Sequence, residues 1–305
     1  MTKAIVFEEF GGPEVLQVVD VPEPHAGPGQ IRVRVTAAGL NPVDWKLASL
    51  PEAAARFGVT LPSGFGADIA GVVDEVGDGV TEFALGDRVY GGARNRAVAE
   101  FAVLSPGTDS VQHTPDGLPD EVAGALDIAG RTADAALTAI AVGPDDTVLI
   151  GAAAGGVGVL ATQLAVAAGA QVIGTASERN HDFLRSLGAT PVTYGPGLAD
   201  RVRALELEIT AATDLWSDEV VHTALELGVA PHRISTIVHG ATLPDGVVAT
   251  GGLNATPGSL ERIATALAEG RLVLPIEATF PIEQIREAVE RQRAGHVRGK
   301  VVITF

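Results

Sequence analysis

The chain has 305 residues, enough for two domains of ordinary size, with 21 Lys and Arg against 38 Asp and Glu and a formal net charge of −17. So acidic a surface repels phosphate backbones and anionic lipid, which argues against nucleic acid or a membrane surface as partner. Hydrophobic residues make up 46% and charged residues 19%, ample for a packed core, and the absence of cysteine excludes disulfides, thiol nucleophiles and thiolate zinc sites.

The opening residues, 1–10, carry Lys3, Glu8 and Glu9 and no long apolar run, so no signal peptide is expected and the location is expected to be cytoplasmic. Short strands are expected at 3–7, 16–21, 30–37, 70–76, 88–90 and 100–104, separated by turn clusters such as Gly11-Gly12-Pro13 and Gly77-Asp78-Gly79. That spacing describes a small barrel or a partly open β domain. Residues 52–57 read as a helical turn. After about Ala125 the rhythm becomes alternating strand and helix: strands at 148–150, 171–174, 191–194, 234–238 and 247–250, helices at 157–168, 180–187 and 219–227. This is the βαβ pattern of a doubly wound parallel sheet. A helix at 259–268, an apolar run at 271–276 read as an edge strand, a segment at 282–293 and a strand at 300–305 follow.

Residues 148–176 carry no charge, long enough on paper to span a bilayer. Glycines 151, 155, 156, 158 and 169 interrupt the run, and its ends lack the cationic and aromatic flanks of a membrane helix. It reads instead as a buried strand, a glycine turn, a helix and a second buried strand. The turn, Gly151-Ala152-Ala153-Ala154-Gly155-Gly156-Val157-Gly158, departs from a strict G-x-G-x-x-G because Ala153 holds the first-glycine place. Its position between two parallel strands makes it a dinucleotide fingerprint, since the helix N-terminus offers N–H donors to a pyrophosphate. Ala154, Gly155, Gly156 and Val157 are the candidate phosphate contacts.

The tip of the next strand decides between dinucleotides. A carboxylate there would accept from the ribose and repel a 2′-phosphate; this chain has Thr175-Ala176-Ser177 with Arg179 and His181 beyond. A hydroxyl and a guanidinium suit the phosphorylated ribose, so NADP(H) is expected, with Glu178 directed to solvent. The other reading of Arg179 is an ordinary surface residue.

Further segments in fixed order complete a pattern over nearly the whole chain: the opening strand with Gly11-Gly12-Pro13-Glu14, Gly39-Leu40-Asn41-Pro42-Val43-Asp44, Asp68-Ile69-Ala70-Gly71, Gly86-Asp87-Arg88-Val89, and Arg298-Gly299-Lys300-Val301-Val302. The pattern resembles the medium-chain dehydrogenase/reductase superfamily in its zinc-free quinone oxidoreductase branch. The resemblance implies an α/β protein: a GroES-like β-rich domain at 1–125, a Rossmann domain with a doubly wound parallel sheet at 126–268, and a segment at 269–305 returning to the first domain, with NADPH in the cleft between. It implies metal-independent hydride transfer to a quinone or an α,β-unsaturated carbonyl, and a homodimer paired across the run at 271–276. Zinc-dependent relatives place a cysteine just after the glycine matching Gly39, where this chain has Leu40-Asn41.

By the same resemblance, Asn41 and Asp44 face the nicotinamide and substrate, and Thr132 contacts the nicotinamide amide or its neighbouring phosphate. Tyr194 lies near the 2′-phosphate, and Gly252 and Asn254 lie in a late loop near the nicotinamide. Lys46 stands where several quinone reductases have tyrosine, and Arg131 where leucine is common. The proton therefore comes from water, from Lys46 or from another group of the cleft. Those departures keep an alternative in view: a biosynthetic cyclase-like or nucleotide-sensing protein of the same fold without net hydride transfer. His222, His232 and His239, ten and seven residues apart, fit no ligand interval. Arg94 and Arg96 are solvated charges or a grip on an anionic substrate; Trp45 is packing or a substrate wall.

Overall fold

Alternate burial along Thr2–Phe7, with Ile5 and Phe7 turned into a core, makes the first strand, β1. The computed structural model describes residues 1–238 and 242–305. In chain order it continues with β2 (Gln17–Val21), β3 (Ile31–Gly39), β4 (Ser63–Gly64), β5 (Asp68–Val76), β6 (Arg88–Gly92), β7 (Phe101–Leu104) and β8 (Val111–His113). A second run follows: β9 (Thr147–Ile150), β10 (Gln171–Thr175), β11 (Thr190–Val192), β12 (Ala211–Asp214), β13 (Ile234–Thr236) and β14 (Val248–Ala249). β15 (Ile276–Pro281) and β16 (Lys300–Thr304) come last. The chain divides into two compact units, one of residues 1–128, 264–271 and 275–305, the other of 129–263 and 272–274.

In the first unit, β2, β1 and β4 form an antiparallel sheet, and a seven-stranded sheet runs β15-β16-β3-β5-β6-β8 with β7 also beside β3. β3 is its spine. The first half of β3 pairs with β7, Ile31 opposite Leu104, and its second half with β16, Gly39 opposite Val302. Along its other side runs β5. Ile31, Val33, Ile69, Val89 and Val301 are fully buried in one core between these strands.

In the second unit the sheet is parallel and ordered β11-β10-β9-β12-β13-β14. Numbered within the unit this is 3-2-1-4-5-6, the Rossmann order, whose reversal between β9 and β12 is the topological switch point where such sheets bind ligands. The uncharged stretch resolves into β9, the helix Gly156–Ala167 and β10. No helix among the described residues is long and apolar enough to cross a membrane.

Three expectations need correction. The run at 271–276 is not an edge strand: strand structure starts only at Ile276, and the Val273 backbone is taken by the Gln163 side chain, which accepts its N–H at 2.9 Å and donates to its carbonyl at 2.8 Å. An amide side chain has replaced the strand partner. The third strand of the second unit stops at Val192, so Tyr194 stands beyond the sheet. The helix expected from Asn180 begins at His181, after a 3-10 turn, Glu178–Asn180. The helices Pro42–Ser49 and Asp127–Thr138, which carry Asp44, Lys46 and Thr132, were not expected from periodicity.

Candidate functional site

Register alone assembles the first cluster. Gly39 lies opposite Val302, so the chain carried two residues further sets Asn41 against Lys300, the first residue of β16; Asp68 starts β5 on the other side. All three are buried, Asp68 at 0% exposure, Asn41 at 3% and Lys300 at 4%. Lys300 Nζ donates to Asn41 Oδ1 and, at 3.3 Å, to Asp68 Oδ2. Asn41 Nδ2 donates to the same Asp68 Oδ2 at 3.0 Å. Asp68 Oδ1 accepts the N–H of Ile128 at 3.0 Å, one residue into the helix Asp127–Thr138. An ammonium only donates and a carboxylate only accepts, so the Asn41 carboxamide has one orientation open to it.

Asp44 joins from the helix that Asn41 caps, its Oδ2 accepting the Asn41 N–H at 2.7 Å. Burial, reinforced by the nearby Asp68 carboxylate, pushes its pKa up to about 7; the Asn41 N–H and the Lys300 ammonium pull the other way. The sign of the consequence is definite. Unfolded, Asp44 loses its proton near the ordinary value of 3.8, whereas folded it keeps it to about 7. Between those values the native state binds more protons, so the contribution of Asp44 to stability falls as pH rises through the window and levels off above it. Asp44→Asn keeps an acceptor without a charge. Urea unfolding of both chains from pH 4 to 8 should show a gap that grows in favour of the variant to roughly 2–4 kcal/mol; a constant gap would mean that Asp44 is ionised throughout.

Lys46, on the same helix, is half-buried, and burial holds its ammonium below the usual lysine range. Its Nζ lies 5.7 Å from the Trp45 ring, whose centroid is 5.2 Å from the Arg293 guanidinium. Trp45 is thus packed among cations. Arg96 donates to Val103 O and Asp109, a role within the first unit, and Arg94 lies over Phe57 at 5.3 Å.

The second cluster lies on the carboxyl ends of the parallel strands. Thr175, closing β10, fastens the glycine turn: its Oγ1 accepts the Ala152 N–H and its carbonyl the Ala153 N–H, each at 3.0 Å. A Cβ on Gly158 would lie 2.1 Å from Ala152 O, so the helix approaches the turn as only glycine allows. Ala153 fits the first-glycine place because room was made opposite it: a Cβ on Gly174 would stand 2.7 Å from the Ala153 methyl. Gly155, the N-cap, and Gly156 and Val157 are partly exposed, with Ala154 buried beside them. Such a turn fits a dinucleotide pyrophosphate: backbone N–H groups at a helix start with no side chain in front of them.

Thr175 pairs in register with Val192, so Ser177 and Tyr194, each two residues on, leave the sheet from adjacent strand ends. Tyr194 is 41% exposed and Arg179 is exposed in the turn after Ser177. The His181 ring contacts Ala176 O at 3.4 Å. Thr132 and Gly252 also meet, a Cβ on Gly252 falling 3.3 Å from Thr132 Oγ1; Asp134 binds Thr256 N–H and Oγ1 and stitches that helix to the loop bearing Asn254. Sequence reasoning missed Asp68, Lys300 and Arg201. The first two were each a charge at the head of a strand followed at once by apolar residues, a readable signal. Arg201 donates to the carbonyls of Thr193, Gly195 and Pro196, fixing the loop of Tyr194, and nothing local announced it. Among the described residues no three His, Asp or Glu side chains could hold a metal ion; His239 lies outside them.

Comparison with known proteins places the fold in a family. The alcohol dehydrogenase GroES-like domain family matches residues 27–102 and the zinc-binding dehydrogenase family residues 108–303. The chain belongs to the medium-chain dehydrogenase/reductase superfamily. Within it, the chain is a quinone oxidoreductase-like member: the quinone oxidoreductase from Coxiella burnetii is 33% identical, with a TM-score of 0.87 over 100% of this chain and 99% of that one. A mycobacterial protein complexed with NADPH is 27% identical, TM-score 0.85, over 100% of both chains. The CurK enoyl reductase is 26% identical, TM-score 0.86, over 99% of both. This reductase-like chain matches the model of a zinc-binding family but has no cysteine, and its Asn41 carbonyl is bonded to Lys300.

Proposed function

We propose that the protein is an NADPH-dependent reductase that transfers hydride, without a metal, to a quinone or to the β-carbon of an α,β-unsaturated carbonyl. The observation that carries this is the glycine turn at the switch point of a 3-2-1-4-5-6 sheet, opened by Gly158 and fastened by Thr175. The relatives above include a quinone oxidoreductase, an enoyl reductase and a protein complexed with NADPH. When bound, the nicotinamide supplies the hydride. The chain supplies the rest: Ala154, Gly155, Gly156 and Val157 hold the pyrophosphate, Ser177, Arg179 and Tyr194 the 2′-phosphate, and Thr132, Gly252 and Asn254 the nicotinamide half. Asn41 and Asp44 orient the reacting groups, and Lys46, its ammonium already weakened by burial, delivers a proton to the developing enolate or quinol oxygen. We assign the substrate side to 1–125 with 269–305 and the cofactor side to 126–268.

Following NADPH oxidation with a naphthoquinone, simple enones and enoyl thioesters tests the proposal; tight NADPH binding with no turnover on any of them would count against it and favour a non-redox role. The proposed assembly is a homodimer. β15 is the end strand of the seven-stranded sheet, and a second copy pairing there would cover its edge. Light scattering at micromolar concentration should therefore give twice the 31.1 kDa of one chain, and a single-chain mass would refute the dimer.

A further inference from the structure

A lysine at 4% exposure beside an aspartate at 0% is a costly choice if packing is all that is needed. Two buried charges lose their hydration, and an apolar pair of similar volume commonly serves stability as well or better. Both charges also converge on one neutral side chain. The Asn41 carbonyl is held by Lys300 and its amino group by Asp68, so a half-turn of the amide would set donor against donor at one end and acceptor against acceptor at the other. Asp68 can do this only as a carboxylate, because its other oxygen is already committed to the N–H of Ile128. The two residues come from strands on opposite flanks of β3, more than two hundred residues apart in the chain, and meet at the end of the sheet where Asn41 begins the next helix.

We propose that Lys300 and Asp68 are positioning residues for hydride transfer: as a pair they lock the Asn41 carboxamide in the single orientation in which it meets the reacting end of the cofactor. The inference rests on the proposed reductase function and on the assignment of Asn41 to the nicotinamide side.

The chemistry of the pair suggests its own test. In Lys300→Gln with Asp68→Asn the cluster is free of both charges yet can still satisfy its bonds in one way, with the oxygen of the Gln introduced at position 300 accepting from the amino group of a turned Asn41. The Asn introduced at position 68 keeps its oxygen on the Ile128 N–H and turns its amino group towards Asn41. Asn41 must then flip to offer its carbonyl. The fold is kept and the orientation is reversed. With NADPH and the best quinone or enone of the panel, kcat should fall at least tenfold while the melting temperature and the Kd for NADPH, read by titration without substrate, stay within a few degrees and about threefold of wild type. The isotope effect with NADPH deuterated at C4 should rise, because the slowed step is hydride transfer. An unchanged kcat, or a loss of kcat that only follows a loss of NADPH affinity, would overturn the positioning role. If the double variant does not fold, Asp68→Asn alone is read by the same two measurements, since its amide can satisfy Ile128 or Asn41 but not both in the native way. A wild-type protein that binds NADPH and reduces nothing would overturn the functional reading instead, before any variant is made.

Discussion

Gly158→Ala should destabilise the nucleotide-binding unit by about 3 kcal/mol and abolish measurable dinucleotide binding, although it adds only one methyl group. The new Cβ would sit 2.1 Å from Ala152 O and 2.8 Å from the carbonyl carbon of Ala153, both backbone atoms of the turn. Neither can yield without breaking the bonds to Thr175, and Ala152 already holds a left-handed φ of 50°, unusual for a residue with a side chain. The helix must back away or the turn must open, and either moves the phosphate-facing N–H groups. Gly155→Ala is the control. Its Cβ would meet only Ala152 O, at 3.3 Å, so stability should drop by about 1 kcal/mol at most while a methyl stands in the path of the pyrophosphate. Chemical denaturation and titration with NADPH on both variants separate the two effects. A Gly158→Ala protein with native stability would show that the turn is far softer than its contacts imply.

The second large effect concerns cofactor choice. Arg179→Ala should weaken NADPH binding by roughly 10- to 150-fold, the worth of one charge-assisted contact to phosphate, and leave NADH nearly unchanged. The proposed 2′-phosphate pocket rests on Ser177 and Tyr194 leaving the sheet from adjacent strand ends and on Arg179 exposed in the turn after Ser177, while Arg201 fixes the Tyr194 loop through the carbonyls of Thr193 and Gly195. Ala176→Asp should move preference towards NADH by offering the ribose an acceptor and repelling the phosphate. Equal weakening of both cofactors by Arg179→Ala, or of neither, would show an ordinary surface arginine.

Much of this was legible in the residues because it is local. Apolar alternation located the early strands, and the glycine turn announced strand, turn and helix within a dozen positions. What stayed hidden was set by distance or by side-chain substitution for backbone. The helix Pro42–Ser49 is short, opens with a proline and shows no strong apolar face, so periodicity could not find it. The run at 271–276 has the composition of an edge strand, but Gln163, 110 residues away, takes its backbone bonds. The Asn41 cluster is the plainest case. Asn41 and Asp44 were found through their motif, but their partners lie 27 and 259 residues away from Asn41, joined only by strand register.

The position of β16 between β15 and β3 has a consequence for the order in which the molecule can be built. Strands β1 to β8 leave the ribosome first, yet the second half of β3 has no neighbour on that side until residues 300–304 arrive. The Rossmann sheet lies wholly in the intervening sequence and can close early, since its strands wait for nothing outside 147–249. During synthesis the nascent chain therefore carries a finished nucleotide-binding unit alongside a β unit with an unsealed hydrogen-bonding edge, the situation in which strands pair with the wrong partner. Chains ending at residue 275, which include 272–274 of the second unit but not β15 or β16, should resist protease across 129–263 and be cut within 1–128; equal resistance of both would mean that β3 finds another cover while it waits.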